Sequence, residues 1–234
     1  TLPLFDPWRD PPALLRAGDR VRFVPVAGPC HPAEPAASHG DSHRDLRGDV
    51  VVIAPGAATT VQDGGRPGWR AAGVGPGGAA DDVALSVANL LVGNARGAAA
   101  LEFAAIGPRL LFARGARVAL AGATFAAHVV MPGGAAVPLP PRRAAWIPAG
   151  AEVAIGALAT DGASRGLRGI LAIEGGIDVP VVLGSRATDP RGGFGGLAGR
   201  TLVKGDRLPL GSGRGPAAAD APADPTAVWI AGHG

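Results

Sequence analysis

Apolar residues fall along this chain in short runs separated by glycine and proline, and most runs have the length of a strand. Val50 to Ala54 is wholly apolar and predicts a buried strand, and Thr59 to Asp63 predicts a second. After Asn94 the pattern is strand after strand. The runs are Ala99 to Ile106, Arg109 to Ala113, Arg117 to Ala121, Ala123 to Met131, Ala144 to Pro148, Glu152 to Ile155, Gly169 to Glu174, Val179 to Leu183, Leu202-Val203 and Arg207 to Leu210. Turns at Gly107-Pro108, Met131 to Gly134 and Ala149-Gly150 punctuate them. One stretch has the other period. Asp81 or Asp82 reads as a helix cap, because a short acidic side chain accepts bonds from the free first-turn amides. Val83, Val87, Leu90 and Leu91 then recur at helical spacing and predict the buried stripe, with Asp82, Ser86 and Asn89 on another face. Gly93 supplies the left-handed stop. These elements predict a mainly β fold, a barrel or sandwich, with one principal helix.

A weak echo supports the strand reading. Ala17 to Phe23, Ala149 to Ile155 and Lys204 to Leu210 each place a Gly-containing turn before an alternating strand. In the first of these, Val21, Phe23 and Pro25 alternate against Arg20, Arg22 and Val24. Residues 27–48 change character. Pro, Ala, His and charged residues alternate without a period, which reads as a solvated linker. His31, His39 and His43 lie there with Cys30 and Asp41, and a tether is favoured over a metal site because nothing nearby would fix the ligands. From Gly211 to Pro225 the chain again reads as loop. Ala227 to Gly234 resembles the opening of a strand, which predicts that the chain is a fragment of a longer polypeptide, incomplete at its C-terminus.

Composition narrows the class. The chain has 234 residues, 47% of them apolar, enough for a substantial core. The 38 glycines and 23 prolines read as turns between strands, not as low complexity. A net charge of +3 comes from scattered arginines without interleaved aromatics, so no nucleic-acid partner is expected. The single cysteine, Cys30, excludes an internal disulfide and a cysteine-based zinc site, and no metal is expected. No apolar run spans a bilayer, and the N-terminus lacks signal-peptide character, so the expectation is a soluble cytoplasmic protein.

Candidate chemistry concentrates between Thr59 and Asn94. Gly73-Val74-Gly75-Pro76-Gly77-Gly78 has GxGxxG spacing before a helix, but Arg70-Ala71-Ala72 is not the strand a dinucleotide site requires. Its amides remain a candidate anion cradle. GxxxxGK[ST] is absent. Gln62, Asp63 and Arg66 form a second set. A ligand clamp and a structural Asp–Arg brace are equally open for them. Glu102, within an apolar strand, either faces solvent by alternation or is a site acid. His128 reads as a core or cross-strand histidine. Gly184-Ser185-Arg186 lacks the GxSxG spacing of a hydrolase nucleophile.

The ordered set TTVQDGGRPGWRAAGVG, DD with ANLLVGN, ALEFAAIGPRLLF, ALAGA, RGILAIEGGIDVPVVLGSRATD and KGDRLPLG resembles the C-type subunit of 5-oxoprolinase. That family is also called allophanate hydrolase subunit 2, a biotin-dependent carboxyltransferase-like family. The resemblance covers roughly Asp49 to Gly211. The leading PLFDPWRDPPALLRAGDRVRFVPV is similar to the C-terminal end of the B-type subunit of the same enzyme. The resemblance therefore implies three parts: a B-type remnant at 1–26, a linker at 27–48 and a partial C-type domain at 49–234. It implies a cyclophilin-like β-barrel and ATP-dependent opening of 5-oxoproline to glutamate, with the A-type and B-type subunits of 5-oxoprolinase as partners and ATP bound within the complex. It places the family's loop on Gln62, Asp63, Arg66 and Gly68 and the helix polar face on Asp82 and Asn89; with these, Gln62, Gly78, Asp82, Asn89, Ser185 and Arg186 are the candidate substrate contacts and Asp63, Arg66 and Glu102 the catalytic candidates. The family's Ser-Gly-x-Met-Asp run is here Gly77-Gly78-Ala79-Ala80-Asp81, so no hydroxyl role is assigned there. Two alternatives stand beside this reading. One is a carboxyltransferase acting on urea or a related amide, needing a separate biotin carrier because Lys204 lacks flanking Met. The other is a non-catalytic regulatory module that binds a partner protein such as a histidine kinase.

Overall fold

In the computed structural model, residues 3–22, 24, 48–159, 166–213 and 229–230 are described, the last pair for backbone only. Two six-stranded antiparallel sheets, one α-helix and a short 3-10 turn at Arg70–Ala72 make up the regular structure of these residues. The first sheet contains β1 (Val50–Ala54), β4 (Arg109–Phe112), β6 (Phe125–Val130), β7 (Ala136–Pro138), β9 (Glu152–Leu158) and β11 (Arg207–Leu208). Its spatial order is β11-β1-β4-β9-β6-β7. The second contains β2 (Thr60–Gln62), β3 (Ala100–Ala104), β5 (Ala116–Gly122), β8 (Ala144–Ile147), β10 (Arg168–Ile173) and β12 (Trp229–Ile230), ordered β12-β8-β5-β10-β3-β2. The mainly β class with one principal helix is thus what the strand pattern predicts. Among the described residues the strands are arranged as two sheets.

The sheets face each other over one core. Val50, Val52, Leu110 and Phe112 of the first meet Leu101, Phe103, Val118 and Leu120 of the second. Phe103 and Phe125 cross edge to face at 5.0 Å, a pair contributing ~0.5–1.5 kcal/mol beyond its buried area. In β6, burial alternates residue by residue, so only one face of that strand is covered. β10 is buried at every position after Arg168. The helix α1 (Asp82–Leu91) accounts for the difference, because it covers the second sheet's outer face.

That packing corrects the stripe expected from spacing. Val83, Val87 and Leu90 are exposed, while Ala84, Leu85, Ala88 and Asn89 are buried. The sheet surface beneath α1 is built from Ala119, Ala121, Ile170 and Ala172. Small residues on both sides allow close approach, and shape outweighs side-chain hydrophobicity. The ends fall where the sequence places them. Asp81 caps by accepting from the Ala84 amide at 2.8 Å, and Gly93 has φ +79°.

Three predicted strands do not form. Residues 20–22 and 24 carry no strand, and Phe23 and Pro25 lie outside the described residues. Val179 to Leu183 is irregular, because Pro180 has no amide to donate and Leu183 and Gly184 turn the chain with φ +52° and +81°. Leu202-Val203 is likewise not a strand, whereas β7 forms where the apolar pattern predicts none. The 27–48 linker falls outside the described residues but for Gly48, so its histidines and Cys30 receive no placement.

Candidate functional site

The loop leaving β2 meets a turn more than a hundred residues later in sequence. Asp63 makes the join. Its Oδ1 accepts from the Gly65 amide at 2.7 Å and from Ser185 Oγ at 2.7 Å, and its Oδ2 accepts from the Arg186 amide at 2.6 Å. Ser185 Oγ in turn accepts from the Ala187 amide at 2.9 Å. Thr188 continues the zipper, donating from both its amide and Oγ1 to the Val61 carbonyl at 2.9 Å. Charge-assisted bonds to a carboxylate are the strong ones. With three in-chain donors, Asp63 is placed as a brace that positions the loop. Arg186 is also committed: its guanidinium donates to the Val179 carbonyl and pairs with Asp178 at 2.7 Å.

Arg66 and Gln62 sit on this braced loop and are not fully satisfied. Arg66 is 1% exposed. Its Nη2 donates to the Ala187 carbonyl, and its guanidinium lies over the Phe194 ring, 4.9 Å from the centroid. Its Nε and Nη1 are buried with no partner. Burial pulls the Arg66 guanidinium below its ordinary pKa, against the opposing pull of Asp189 and then Asp63. Gln62 donates from Nε2 to Thr60 Oγ1 and the Thr188 carbonyl, leaving its Oε1 buried and unpartnered. Arg66 and Gln62 therefore anchor on the consecutive carbonyls of residues 187 and 188. Between them they leave two donors and one acceptor free. Orphaned buried polar groups are rare, and each costs ~1–3 kcal/mol until a partner arrives.

The Gly-rich turn before α1 packs onto the same loop. Arg66 donates its amide to the Pro76 carbonyl at 2.6 Å, and Ala79 donates to the Asp63 carbonyl at 3.0 Å. Gly78 has φ +86°, and a Cβ there would come within 3.0 Å of the Asp63 carbonyl oxygen. Gly78 thus serves loop-to-loop contact. The protein's own carboxylates take two amides at the helix start. Glu102 Oε1 accepts from the Ala80 amide at 2.9 Å, and Asp81 takes the Ala84 amide.

Glu102 does not face solvent by alternation. It is 4% exposed, on the helix-facing side of β3 with Ala100, while Leu101 and Phe103 point into the inter-sheet core. Its Oε2 pairs with Arg168 at 3.2 Å. Asn89 is fully buried, donating to the carbonyls of Arg96 and Ala98 and accepting from Asn94. Asp82 lies on the first turn of α1, exposed. Glu102 and Asn89 therefore hold the frame, and Gln62, Asp63, Arg66, Gly78, Ser185 and Arg186 converge.

Beside that cluster lies a cavity of about 460 Å³, lined by Phe5, Gly73, Val74, Gly75, Asp189, Arg191, Gly192 and Phe194. Phe194 belongs to both places, as a cavity wall and as the ring beneath Arg66. Sequence reasoning missed Phe5, Asp189, Arg191 and Phe194. A lone aromatic between glycine pairs, Gly192-Gly193-Phe194-Gly195-Gly196, was the available signal. Among the described residues, no group of three or more His, Cys, Asp or Glu could hold a metal ion. Nor is any of their helices long and apolar enough to cross a membrane.

The family described as carboxyltransferase domain, subdomain A and B, matches residues 72–231. The chain is 41% identical over 166 residues to the C-type subunit of 5-oxoprolinase from Escherichia coli strain K12, covering 70% of this chain and 50% of that protein. It is 40% identical over 158 residues to urea amidolyase of Lachancea kluyveri, covering 67% of this chain and 8% of that one. The crystal structure of TTHA0988 superposes with a TM-score of 0.73 at 35% identity, over 90% of this chain and 40% of that one. The Kluyveromyces lactis urea amidolyase structure does so with a TM-score of 0.61 at 38% identity, over 69% of this chain and 9% of that one. The chain thus spans half the length of the E. coli relative.

Proposed function

The chain belongs to the carboxyltransferase domain family, subdomain A and B, and from that premise we propose that it is the C-type part of an ATP-dependent 5-oxoprolinase. Such a complex opens the lactam 5-oxoproline to glutamate. The observation that carries this reading is the unpartnered set Gln62 Oε1, Arg66 Nε and Arg66 Nη1. A ring amide is held cis, so its carbonyl oxygen and N–H lie on one edge. Gln62 Oε1 would accept from that N–H while Arg66 donates to the oxygen. As the amide oxygen gains negative charge, fixed donors in a dry site stabilise it more than they stabilise the neutral ground state. Asp63 would contribute by holding the loop against Ser185 and Arg186, with Asp82, Asn89 and Glu102 acting through the frame.

The helix start offers little to a nucleotide phosphate. The amides of Ala80 and Ala84 there are taken by Glu102 and Asp81, and Gly78 is used in loop packing. In this proposal ATP is bound by the partner proteins, where it would supply the activating phosphoryl group. The B-like leader would place the B-type component beside this domain, and the A-type component would complete the assembly. The relative named urea amidolyase supports the second reading, a carboxyltransferase for urea or a related amide. Urea presents the same oxygen-and-N–H edge, and a separate biotin carrier would be the donor. A 460 Å³ cavity favours the larger lactam.

Reconstitution separates the two. The full-length protein with its A-type and B-type partners is expected to hydrolyse ATP only when 5-oxoproline is present, independently of biotin carrier. Carrier-dependent carboxylation of urea without lactam-dependent turnover would overturn the proposal.

A further inference from the structure

The orphaned donors of Arg66 are enclosed, yet the cavity lies one ring away. Phe194 is that ring. Arg66 lies over it at 4.9 Å, and the same ring walls the cavity together with Phe5. Phe5 meets Phe194 with ring centroids 5.6 Å apart and planes tilted by 38°. The ring is seated among glycines: a Cβ on Gly192 would come within 2.4 Å of Phe194 Cε1, and one on Gly195 within 2.8 Å of Arg66 Nη2. Gly193 and Gly195 have φ +69° and +70°. A backbone of this kind adopts alternative conformations at low cost.

Phe5 comes from the far end of the sequence and is held by a structure of its own. A bridge pairs Phe5 with Ala13, and Leu14 donates to the Leu4 carbonyl at 2.8 Å while Asp6 donates to the Pro12 carbonyl at 2.9 Å. Arg9 ties this small hairpin together. Its guanidinium donates to the carbonyls of Pro3, Leu4, Pro11 and Pro12. Phe5 is thus a braced ring and not a loose terminus.

We propose that Phe5 is a specificity-determining residue: with Phe194 it forms a two-ring gate between the cavity and the free donors of Arg66. The leader then decides which ligands reach the amide-reading edge. That the admitted ligand is a lactam rests on the function proposed above; the gate itself does not. The cavity lacks part of its wall without the leader, so the domain and the leader form one site.

Arg66 reports the gate directly. Full-length protein is treated with phenylglyoxal, and labelling of Arg66 and of exposed Arg109 is followed by peptide mass spectrometry. Phe5→Ala is expected to raise the Arg66 labelling rate about three- to tenfold by weakening the ring pair that holds the closed form. Arg109 stays unchanged, and Phe5→Tyr keeps the wild-type rate at Arg66. In the reconstituted complex, Phe5→Ala should shift KM for 5-oxoproline relative to its six-membered ring homologue with kcat preserved. Unchanged Arg66 labelling in Phe5→Ala, or an equal rise at Arg66 and Arg109, overturns the gate. If Arg66 labelling responds but the wild-type complex turns over no lactam, the gate stands and the lactam reading falls.

Discussion

Arg66→Met is expected to cut 5-oxoproline-dependent ATP hydrolysis by about a thousandfold while leaving the fold nearly as stable as before. The two halves of this expectation have one cause. Arg66 is a cation 1% exposed, with a single carbonyl partner and two unpaired N–H donors. Replacing such a group with an apolar side chain of similar length removes a desolvated charge and both orphans. What is lost is one hydrogen bond, the contact over Phe194 and the attraction of Asp189 and Asp63, and a Met sulfur stacks acceptably on an aromatic ring. The net change in unfolding free energy should be within ~1–2 kcal/mol, or a few degrees in Tm. Turnover, by contrast, loses every donor placed for the amide oxygen. Thermal unfolding and steady-state ATPase on the same preparation check both halves. A variant that is strongly destabilised, or one that keeps wild-type turnover, contradicts the role given to Arg66.

Asp63→Ala should behave in the opposite way. Three donors, the amides of Gly65 and Arg186 and Ser185 Oγ, converge on its carboxylate within 2.7 Å. Alanine strands all three at a site where Asp63 is 9% exposed and Ser185 2%. Each stranded donor costs ~1–3 kcal/mol, and partial hydration recovers some of that, giving a net loss of about 3–5 kcal/mol. For a domain of this size that is a fall of roughly 10–15 °C in Tm. Asn at the same position keeps one acceptor oxygen but turns an amide donor toward another donor, so Asp63→Asn should fall between. Circular dichroism melts of the three proteins test the order. Asp63→Ala melting within about two degrees of wild type would show that the join between the two loops is not held by this carboxylate. From sequence a clamp and a brace are equally open for Asp63, and the geometry supports the brace, in partnership with Ser185 instead of Arg66.

Which features the sequence exposes depends on how local their causes are. The cap at Asp81 and the stop at Gly93 are set by a few neighbouring residues, and both lie where the sequence places them. Most strands are local in the same sense. The buried face of α1 is not. Val83, Val87 and Leu90 form the more apolar stripe, but the opposing surface of Ala119, Ala121 and Ala172 accepts only the alanine face. Glu102 misleads for a related reason. Alternation predicts one wet face on a strand, and β3 has none because α1 covers it. The family resemblance brings Gln62, Asp63, Arg66, Ser185 and Arg186 forward as candidates from the sequence. The pairing of Asp63 with Ser185, 122 residues apart, carries no local signal. Neither does the meeting of Phe5 with Phe194.

The most direct test of the amide-reading edge compares 5-oxoproline with its ring N-methyl analogue in the reconstituted complex, as a ratio of kcat/KM. The analogue keeps the carboxylate and the carbonyl but has no N–H for Gln62 Oε1. A site built to pair that hydrogen leaves its acceptor buried and alone when the hydrogen is missing, so the ratio should exceed about a hundredfold. In Gln62→Leu the preference should collapse toward unity. Equal turnover of the two lactams by the wild-type complex would contradict the account.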